Sequence, residues 1–444
     1  MSRWPVHPAA DLFPEPTSEE YKALLEDIRV NGVATPIVIY KKQLLDGRTR
    51  LRACEELAIE CPYREWEGES PVGYAVSLNL KRRSLTVGQR AAIAVEMLPL
   101  LEAEGRKRMA AARSARWERQ KDKTQNEKLE KGRSNLDLPS SQISGHVISD
   151  ADGKSTTVAG QIVGVSRLSV VATKQLQNDA PDLFDQVKAG AVTIHKATTQ
   201  LRRQKQAAER KAVLEAVALQ PDGERRQVKV GDWWQLGEHL VFCGDTSTPA
   251  FIEHCPEVEF AFADPPYGVG KAEWDSKLIW AHDWLADKAK IVAVTPGSTH
   301  LQDFLGLTSM PYKWPMACLI SNGMTKGAIG FANWILTIVF AHESVNRNKQ
   351  DATTITIDNS QAGDTTHPSR KPAAMMAWLL QTFTKEGDTV LDPFLGSGTT
   401  LMAAQAMGRR CIGGEIEPSY VEEIIGRWEV LTKQKATRVE PDKV

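Results

Sequence analysis

The reading turns on Thr389-Val390-Leu391 and the loop that it enters, Asp392-Pro393-Phe394-Leu395-Gly396-Ser397-Gly398-Thr399-Thr400. The first three residues read as a short buried strand. A turn of small residues comes next, then a helical run over 401–407. Glycines at a strand-to-helix turn let backbone N–H groups approach a ligand at a helix N-terminus. A dinucleotide fingerprint would need a third glycine, and a P-loop a lysine after the last one. Neither is present, so phosphate binding is disfavoured. Further on, Cys411-Ile412-Gly413-Gly414-Glu415 reads as a short strand ending in an acid. A carboxylate at the end of the next strand commonly holds ribose hydroxyls. The two segments together suit a nucleoside whose other end is not a phosphate.

Upstream, Phe260-Ala261-Phe262-Ala263 and Ile291-Val292-Ala293-Val294 also read as buried parallel strands. From Val228 onward short apolar strands alternate with helical stretches, which predicts a doubly wound α/β domain. The first of these strands runs directly into Asp264-Pro265-Pro266-Tyr267. In open α/β sheets ligands lie beyond the carboxyl ends of the strands. This turn offers a carboxylate, a rigid carbonyl and an aromatic face. An exocyclic amine on a base has its lone pair delocalised into the ring. Hydrogen bonds from its N–H atoms to Asp264 and to the Pro265 carbonyl would drive the nitrogen toward tetrahedral geometry and free that pair. Tyr267 would stack on the base, which must leave the duplex to be reached.

With these motifs, residues 228–432 resemble the β group of amino-DNA methyltransferases. The motifs are Gly244-Asp245, Asp264-Pro265-Pro266-Tyr267, Lys371-Pro372, Asp392-Pro393-Phe394 with Gly396-Ser397-Gly398-Thr399, and Gly414-Glu415 followed by Pro418-Ser419-Tyr420. The resemblance implies a class I, Rossmann-like methyltransferase domain over 228–436 with S-adenosylmethionine as cofactor. It implies catalytic roles for Asp264, Pro265, Pro266 and Tyr267. It places Asp392, Phe394, Gly396, Ser397, Gly398 and Thr399 around the cofactor and Glu415 on its ribose. Asp245 would meet its adenine and Lys371 its carboxylate end. Asp before Pro-Pro-Tyr favours adenine N6 over cytosine N4 as the target. C5-cytosine chemistry would need a Pro-Cys dipeptide, and the chain has none. Such enzymes carry target recognition between the two loops, here 300–366, where Lys313, Lys326, Asn333 and Arg347 suit phosphates and base edges.

The N-terminal half gives two further signals. Glu26-x-Ile28-x-x-x-Gly32, Pro36-Ile37-Val38 and Asp46-Gly47-x-x-Arg50-x-x-Ala53 resemble the ParB-like N-terminal domain. That predicts a small α+β module over 1–85. The turn lacks the Gly-Glu-Arg-Arg sequence of nucleotide-switching relatives, so nucleotide turnover is not expected. Thr156 to Leu176 reads as a helix-turn-helix within a helical region, 86–201, with Arg167 and Ser169 exposed toward DNA. A flexible linker is expected near 118–155 and a basic linker over 202–227.

Composition frames this. The chain has 444 residues, enough for about three domains. Its formal net charge is −1. That near-neutrality hides −1 over 1–100, +8 over 101–229 and −8 over 230–444. A basic centre suits a phosphate backbone. Nine of the twelve tryptophans lie beyond 230, which predicts a well-packed C-terminal domain. The six cysteines are scattered and form no C-x-x-C pair, so no metal site or disulfide framework is expected. No signal peptide is read, and the apolar run 335–341 is too short to span a bilayer. The expected partner is double-stranded DNA in the cytoplasm, without a membrane. A homodimer is a further expectation, since dimers are common in the resembled family. The alternatives are a cytosine N4 methyltransferase, or a ParB-like DNA-binding regulator with an inactive methyltransferase domain.

Overall fold

The computed structural model describes residues 4–10, 12, 16, 18–82, 85–130, 151–224, 226–266, 280–321, 325–326, 330–343, 353–357 and 371–440. The chain divides into two compact units, Met1–Arg203 and Gln204–Val444.

In the first unit, α1 (Ser18–Asn31) carries Glu19 and Glu20 in its first turn, where they favour the helix dipole. Strands β1 (Ile37–Tyr40) and β2 (Gln43–Asp46) form a hairpin. The hairpin turns at Lys41-Lys42, both at positive φ. The chain turns tightly at Asp46-Gly47 from the end of β2 into α2 (Arg48–Leu57). Gly47 has φ +99, and a Cβ there would stand 2.7 Å from Ile37 Cγ2, so glycine is required. Arg50 is spent inside the fold. It donates to Asp46 Oδ2 at 2.7 Å and to the carbonyls of Thr35 and Pro36. Strand β3 (Tyr63–Glu65) joins β1 in parallel.

Helices α3 (Pro71–Arg82), α4 (Val87–Glu130), α5 (Ala151–Val163), α6 (Arg167–Asp179), α7 (Pro181–Ala189) and α8 (Ile194–Ala218) come next along the chain. Val38 and Leu45 of the sheet share one core with Ala92, Val95, Val170 and Leu183 of the helices. The sections expected as separate modules, 1–85 and 86–201, are therefore joined by burial. The linker expected near 118–155 is helical where it is described, because α4 runs to Glu130 and α5 starts at Ala151. Residues 131–150 lie outside the described residues. The basic linker expected over 202–227 is likewise helical as far as Ala218.

The second unit holds strands β4 (Trp233–Leu236), β5 (His239–Cys243), β6 (Val258–Ala263), β7 (Ala289–Val294), β8 (Tyr312–Ile320), β9 (Thr325–Lys326), β10 (Phe331–Ala332), β11 (Trp334–Phe340), β12 (Thr354–Ile357), β13 (Thr389–Asp392), β14 (Arg410–Glu415) and β15 (Thr437–Val439). Its helices are α9 (Pro249–Ile252), α10 (Leu285–Lys288), α11 (Leu301–Leu307), α12 (Ala373–Phe383), α13 (Thr399–Ala406) and α14 (Pro418–Thr432). Ten strands form one sheet in the order β12-β8-β11-β7-β6-β13-β14-β5-β4-β15. The centre, β7-β6-β13-β14-β5, is parallel, and β11 inserts antiparallel between β7 and β8. This is an α/β, Rossmann-like sheet with a parallel centre, as the strand pattern predicts.

Both sheet faces are covered, which is why the central strands are mostly apolar. One face packs on α12, α13 and α14 through Leu379, Leu401 and Ile424. Residues 204–218 of α8 belong to this layer and bury Val213, Ala216 and Val217 in it. The other face buries Trp233, Phe251 and Phe304. The tryptophans are not uniformly packed: Trp314 is 58% exposed and Trp334 38%. Among the described residues no helix is long and apolar enough to cross a membrane.

Candidate active site

The sheet order brings the two loops together. Strand β6 pairs with β13 in parallel, Val390 opposite Phe260 and Leu391 opposite Ala261. Their carboxyl ends release Asp264-Pro265-Pro266 and Asp392-Pro393-Phe394 side by side, although more than a hundred residues separate them in sequence. Beyond β6 the sheet continues through β7 and beyond β13 through β14, so the crevice lies at a topological switch point.

One cavity occupies this crevice. Of the residues expected from the sequence, Asp245, Asp264, Pro265, Pro266, Lys371, Asp392, Phe394, Gly396, Ser397, Thr399 and Glu415 line it. Gly398 does not. It stands at the start of α13 with φ +79, and a Cβ there would come 2.7 Å from Ile424 Cγ1, so its glycine serves packing and the turn. Tyr267 lies outside the described residues.

Five acidic side chains line the cavity, and three of them stand at the carboxyl ends of β6, β13 and β14. Glu415 Oε2 accepts from the Gly396 amide at 2.8 Å, and its Oε1 accepts from the Glu417 amide at 2.9 Å. Asp392 is buried at the end of β13 and accepts from the Phe394 amide at 2.9 Å. Burial pushes both acids up to about 7 against their hydrogen bonds. Asp264 is the third. Its Oδ1 accepts from Thr295 Oγ1 at 2.6 Å and its Oδ2 from Lys371 Nζ at 2.6 Å. Lys371, expected at the carboxylate end of a cofactor, is thus paired with Asp264.

Asp245 is exposed, and both the amide and the hydroxyl of Ser247 donate to it. These bonds hold its carboxyl below the usual range. Next to it, Thr246 Oγ1 donates to the Pro393 carbonyl at 3.0 Å and lies 2.9 Å from His282 Nε2. Since the hydroxyl proton is used on Pro393, His282 must donate from Nε2. Its Nδ1 is then a bare acceptor, buried without a hydrogen-bond partner among the described residues. Burial lowers the ring to about 4, so it is neutral at neutral pH. The ring also lies 4.5 Å from that of Phe394. Gly414 belongs to the same arrangement. A Cβ there would fall 2.1 Å from Thr246 Cγ2, so only glycine lets Thr246 sit against β14.

Thr246, His282, Thr295, Ile416 and Tyr420 received no role from the sequence. Ile416 had a usable signal, an apolar residue directly after the acid that ends β14; it lines the cavity and stays 55% exposed. His282 and Thr295 had none, since each is placed by folding alone.

The expected DNA contacts are more scattered. Arg167 is exposed at the start of α6. Ser169 is partly buried, and its amide and hydroxyl both bond Ser166 Oγ in the helix cap. Ser169 is thus less exposed than expected, and its hydroxyl takes part in the cap that satisfies the helix N-terminus. Gly164, at φ +67, makes the turn between α5 and α6. Lys313 is partly buried on β8, and Asn333 is exposed just before β11. The Lys326 side chain and all of Arg347 lie outside the described residues.

Comparison with known proteins adds a family. Residues 313–426, about a quarter of the chain, match the N6_N4_Mtase family model, described as DNA methylase. The second unit resembles the amino-DNA methyltransferases. Fifty-six residues are 46% identical to the type II methyltransferase M2.DpnII of Streptococcus pneumoniae, covering 13% of this chain and 21% of that protein. The chain spans about a fifth of the length of the curated relatives it matches. Among solved structures, the M1.HpyAVI–SAM complex aligns at 20% identity and a TM-score of 0.34, over 41% of this chain and 96% of that one. A Pnob8-like ParB-N domain aligns at 15% identity and a TM-score of 0.28, over 47% and 81%. The methylase family match begins at Lys313, so Asp264 is connected to it by the sheet and not by the matched segment.

The two raised acids predict a pH dependence of stability. Between about pH 4 and pH 7 the folded unit keeps protons on Asp392 and Glu415 that the unfolded chain has released. The folded state then binds more protons, so stability falls as pH rises through that window and levels off above it. Asp392→Asn should remove its share of the fall. Thermal melts of parent and variant at pH 5 and pH 8 measure it; equal changes in the two proteins would rule the assignment out.

Proposed function

We propose that this protein transfers a methyl group from S-adenosylmethionine to an exocyclic amine of a DNA base, adenine N6 above all. The observation that carries this reading is the single cavity shared by Asp264-Pro265-Pro266 and the 392–399 loop. Its electrostatics favour a cation. Among the described lining residues Asp245, Asp264, Asp392, Glu415 and Glu417 outnumber Lys371, a balance that disfavours phosphates and suits a sulfonium. The residues present fit the rest of the cofactor. Glu415 would take the ribose hydroxyls, while Ile416 and Asp245 would meet the adenine ring and its amine. Phe394, Gly396, Ser397 and Thr399 would line its path.

When bound, the cofactor supplies an electrophilic methyl group. The chain's own part is positioning. Asp264 would accept one N–H of the target amine and the Pro265 carbonyl the other. Tyr267 would stack on the extruded base. Asp264 serves as an acceptor and need not take up the amine proton, which passes to solvent after transfer.

The first unit would hold the DNA. Arg167 at the exposed start of α6 suits the major groove, with Lys313, Lys326, Asn333 and Arg347 of the second unit as further contacts. Cytosine N4 is the second reading, since it would need the same acceptor pair. The test is to incubate the protein with unmodified double-stranded DNA and S-adenosylmethionine, then sequence with modified-base detection. N6-methyladenine in one sequence context is expected. N4-methylcytosine would move the assignment to the other amine. Cofactor binding with unmodified DNA throughout would leave the regulatory reading standing.

A further inference from the structure

Lys371 belongs by sequence to the motif that resembles a cofactor-carboxylate site, yet its ammonium lies 2.6 Å from Asp264 Oδ2. Thr295 Oγ1 holds the other oxygen at the same distance. The side chains of Lys371 and Asp264 are only 11% and 15% exposed, so water screens this pair weakly. The three groups come from three separate segments. Asp264 lies just after β6, Thr295 just after β7, and Lys371 just before α12. The Thr295 amide also donates to the Ala263 carbonyl at 3.0 Å, so Thr295 grips the residue before Asp264 as well as its side chain. Thr295 is fully buried at the end of β7.

Taken together, these contacts hold a carboxylate by one donor on each oxygen. A side-chain carboxylate turns freely about its terminal torsion unless something stops it. Here a hydroxyl on one side and an ammonium on the other stop it. A carboxylate oxygen can accept more than one hydrogen bond, so one donor on each is compatible with an incoming amine. Lys371 also places a positive charge directly beside Asp264.

We infer that Thr295 and Lys371 are positioning residues for the amine-accepting carboxylate, with Lys371 serving Asp264 instead of the cofactor's carboxylate. The inference rests on the proposed methyltransferase activity for its chemistry, and on these contacts for its geometry. In the reaction the target nitrogen forms its bond to the methyl carbon as the sulfonium sulfur leaves with the bonding pair. The amine then loses one proton. Thr295 and Lys371 hold the acceptor still and take no part in that balance.

The experiment compares the full-length parent with Lys371→Met, Thr295→Val and Thr295→Ser, each checked for an unchanged melt. S-adenosylmethionine affinity is read by calorimetry, and methyl transfer by single turnover at saturating cofactor and DNA. Lys371→Met is expected to keep cofactor affinity within about threefold and to lose about a hundredfold in transfer rate. Thr295→Val should lose about tenfold or more in rate with DNA KM little changed, and Thr295→Ser should restore most of it. A cofactor affinity weakened about tenfold or more in Lys371→Met, with transfer intact at saturation, would return Lys371 to the cofactor and overturn the inference. So would a Thr295→Val enzyme as fast as the parent. If the parent itself binds cofactor but methylates no DNA, the functional reading fails. The inference is then decided by the calorimetry and by a crystal structure of Thr295→Val, in which an unturned Asp264 carboxylate would overturn it.

Discussion

Asp264→Ala should reduce methyl transfer by about 10²–10³-fold or more while leaving S-adenosylmethionine affinity within about twofold. The reason is the division of labour within the cavity. Glu415, Ile416 and Asp245 lie on the β14 and β5 side, whereas Asp264 ends β6. Removing its carboxylate takes away the acceptor for the target amine and the group that Thr295 and Lys371 grip. The sheet beneath is untouched, because the apolar residues that pack β6 end at Ala263. Radiolabelled methyl incorporation into DNA and calorimetric cofactor titration test the two halves separately. An Asp264→Ala variant that methylates at the parent rate would remove Asp264 from the chemistry. One that no longer binds cofactor would move it to the cofactor site.

The second large effect concerns where the chain can be cut. The basic, breaker-rich character of 202–227 suggests a linker and invites truncation at residue 226. The structure predicts that this truncation fails to give folded protein, whereas one beginning at Gln204 folds. Residues 204–218 of α8 bury Val213, Ala216 and Val217 in the larger core, a contribution of about 3–6 kcal/mol. Arg427, fully buried on α14, donates to the carbonyls of Val217 and Leu219 at the end of α8 and to the Ser397 carbonyl of the 392–399 loop. Deleting the first two acceptors strands buried donors at about 1–3 kcal/mol each or more. Glu209 and Gln206 likewise bond Arg409 and Gln381. The combined loss approaches the whole net stability of a typical domain, about 5–15 kcal/mol. Soluble yield and thermal melts of the two truncations decide the matter; equal stability would place α8 outside the fold. The Gln204 form, not the shorter one, is the proper reagent for testing whether the first unit carries DNA affinity and its salt dependence.

Much of the site was legible in order along the chain. Asp264-Pro265-Pro266 and the 392–399 loop each come after a short apolar run, 260–263 and 390–391, and such runs announce themselves because both faces are covered. Glu415 was readable for the same reason. The turn at Gly164 was readable because a left-handed residue between two helices favours glycine. The cap bonds of Ser169 were not legible because exposure and capping look alike in sequence: a serine three residues into a helix signal serves either role. The basic stretch 202–218 reads as a helix or a linker because charge suggests solvent, while a helix can be charged along most of its surface and still bury one stripe. Arg210 and Glu209 sit beside Val213 on such a helix, and their charges are satisfied across the core edge.

From the sequence alone came the chemistry of each loop: a carboxylate and rigid carbonyl in one, a close-approach glycine turn in the other, an acid to close the pocket. Those are local properties, written in residue types at short spacing. What only the tertiary structure decided is which groups meet. Strand order put β6 beside β13, and that adjacency turned two motifs into one cavity. It also brought Thr295 and Lys371 onto Asp264, His282 and Thr246 onto the Pro393 loop, and Arg427 onto the end of α8. Such pairings depend on contacts between residues far apart in the chain. A sheet sets them by hydrogen-bonding one strand to another, and the order in which strands pair is not an attribute of any single segment.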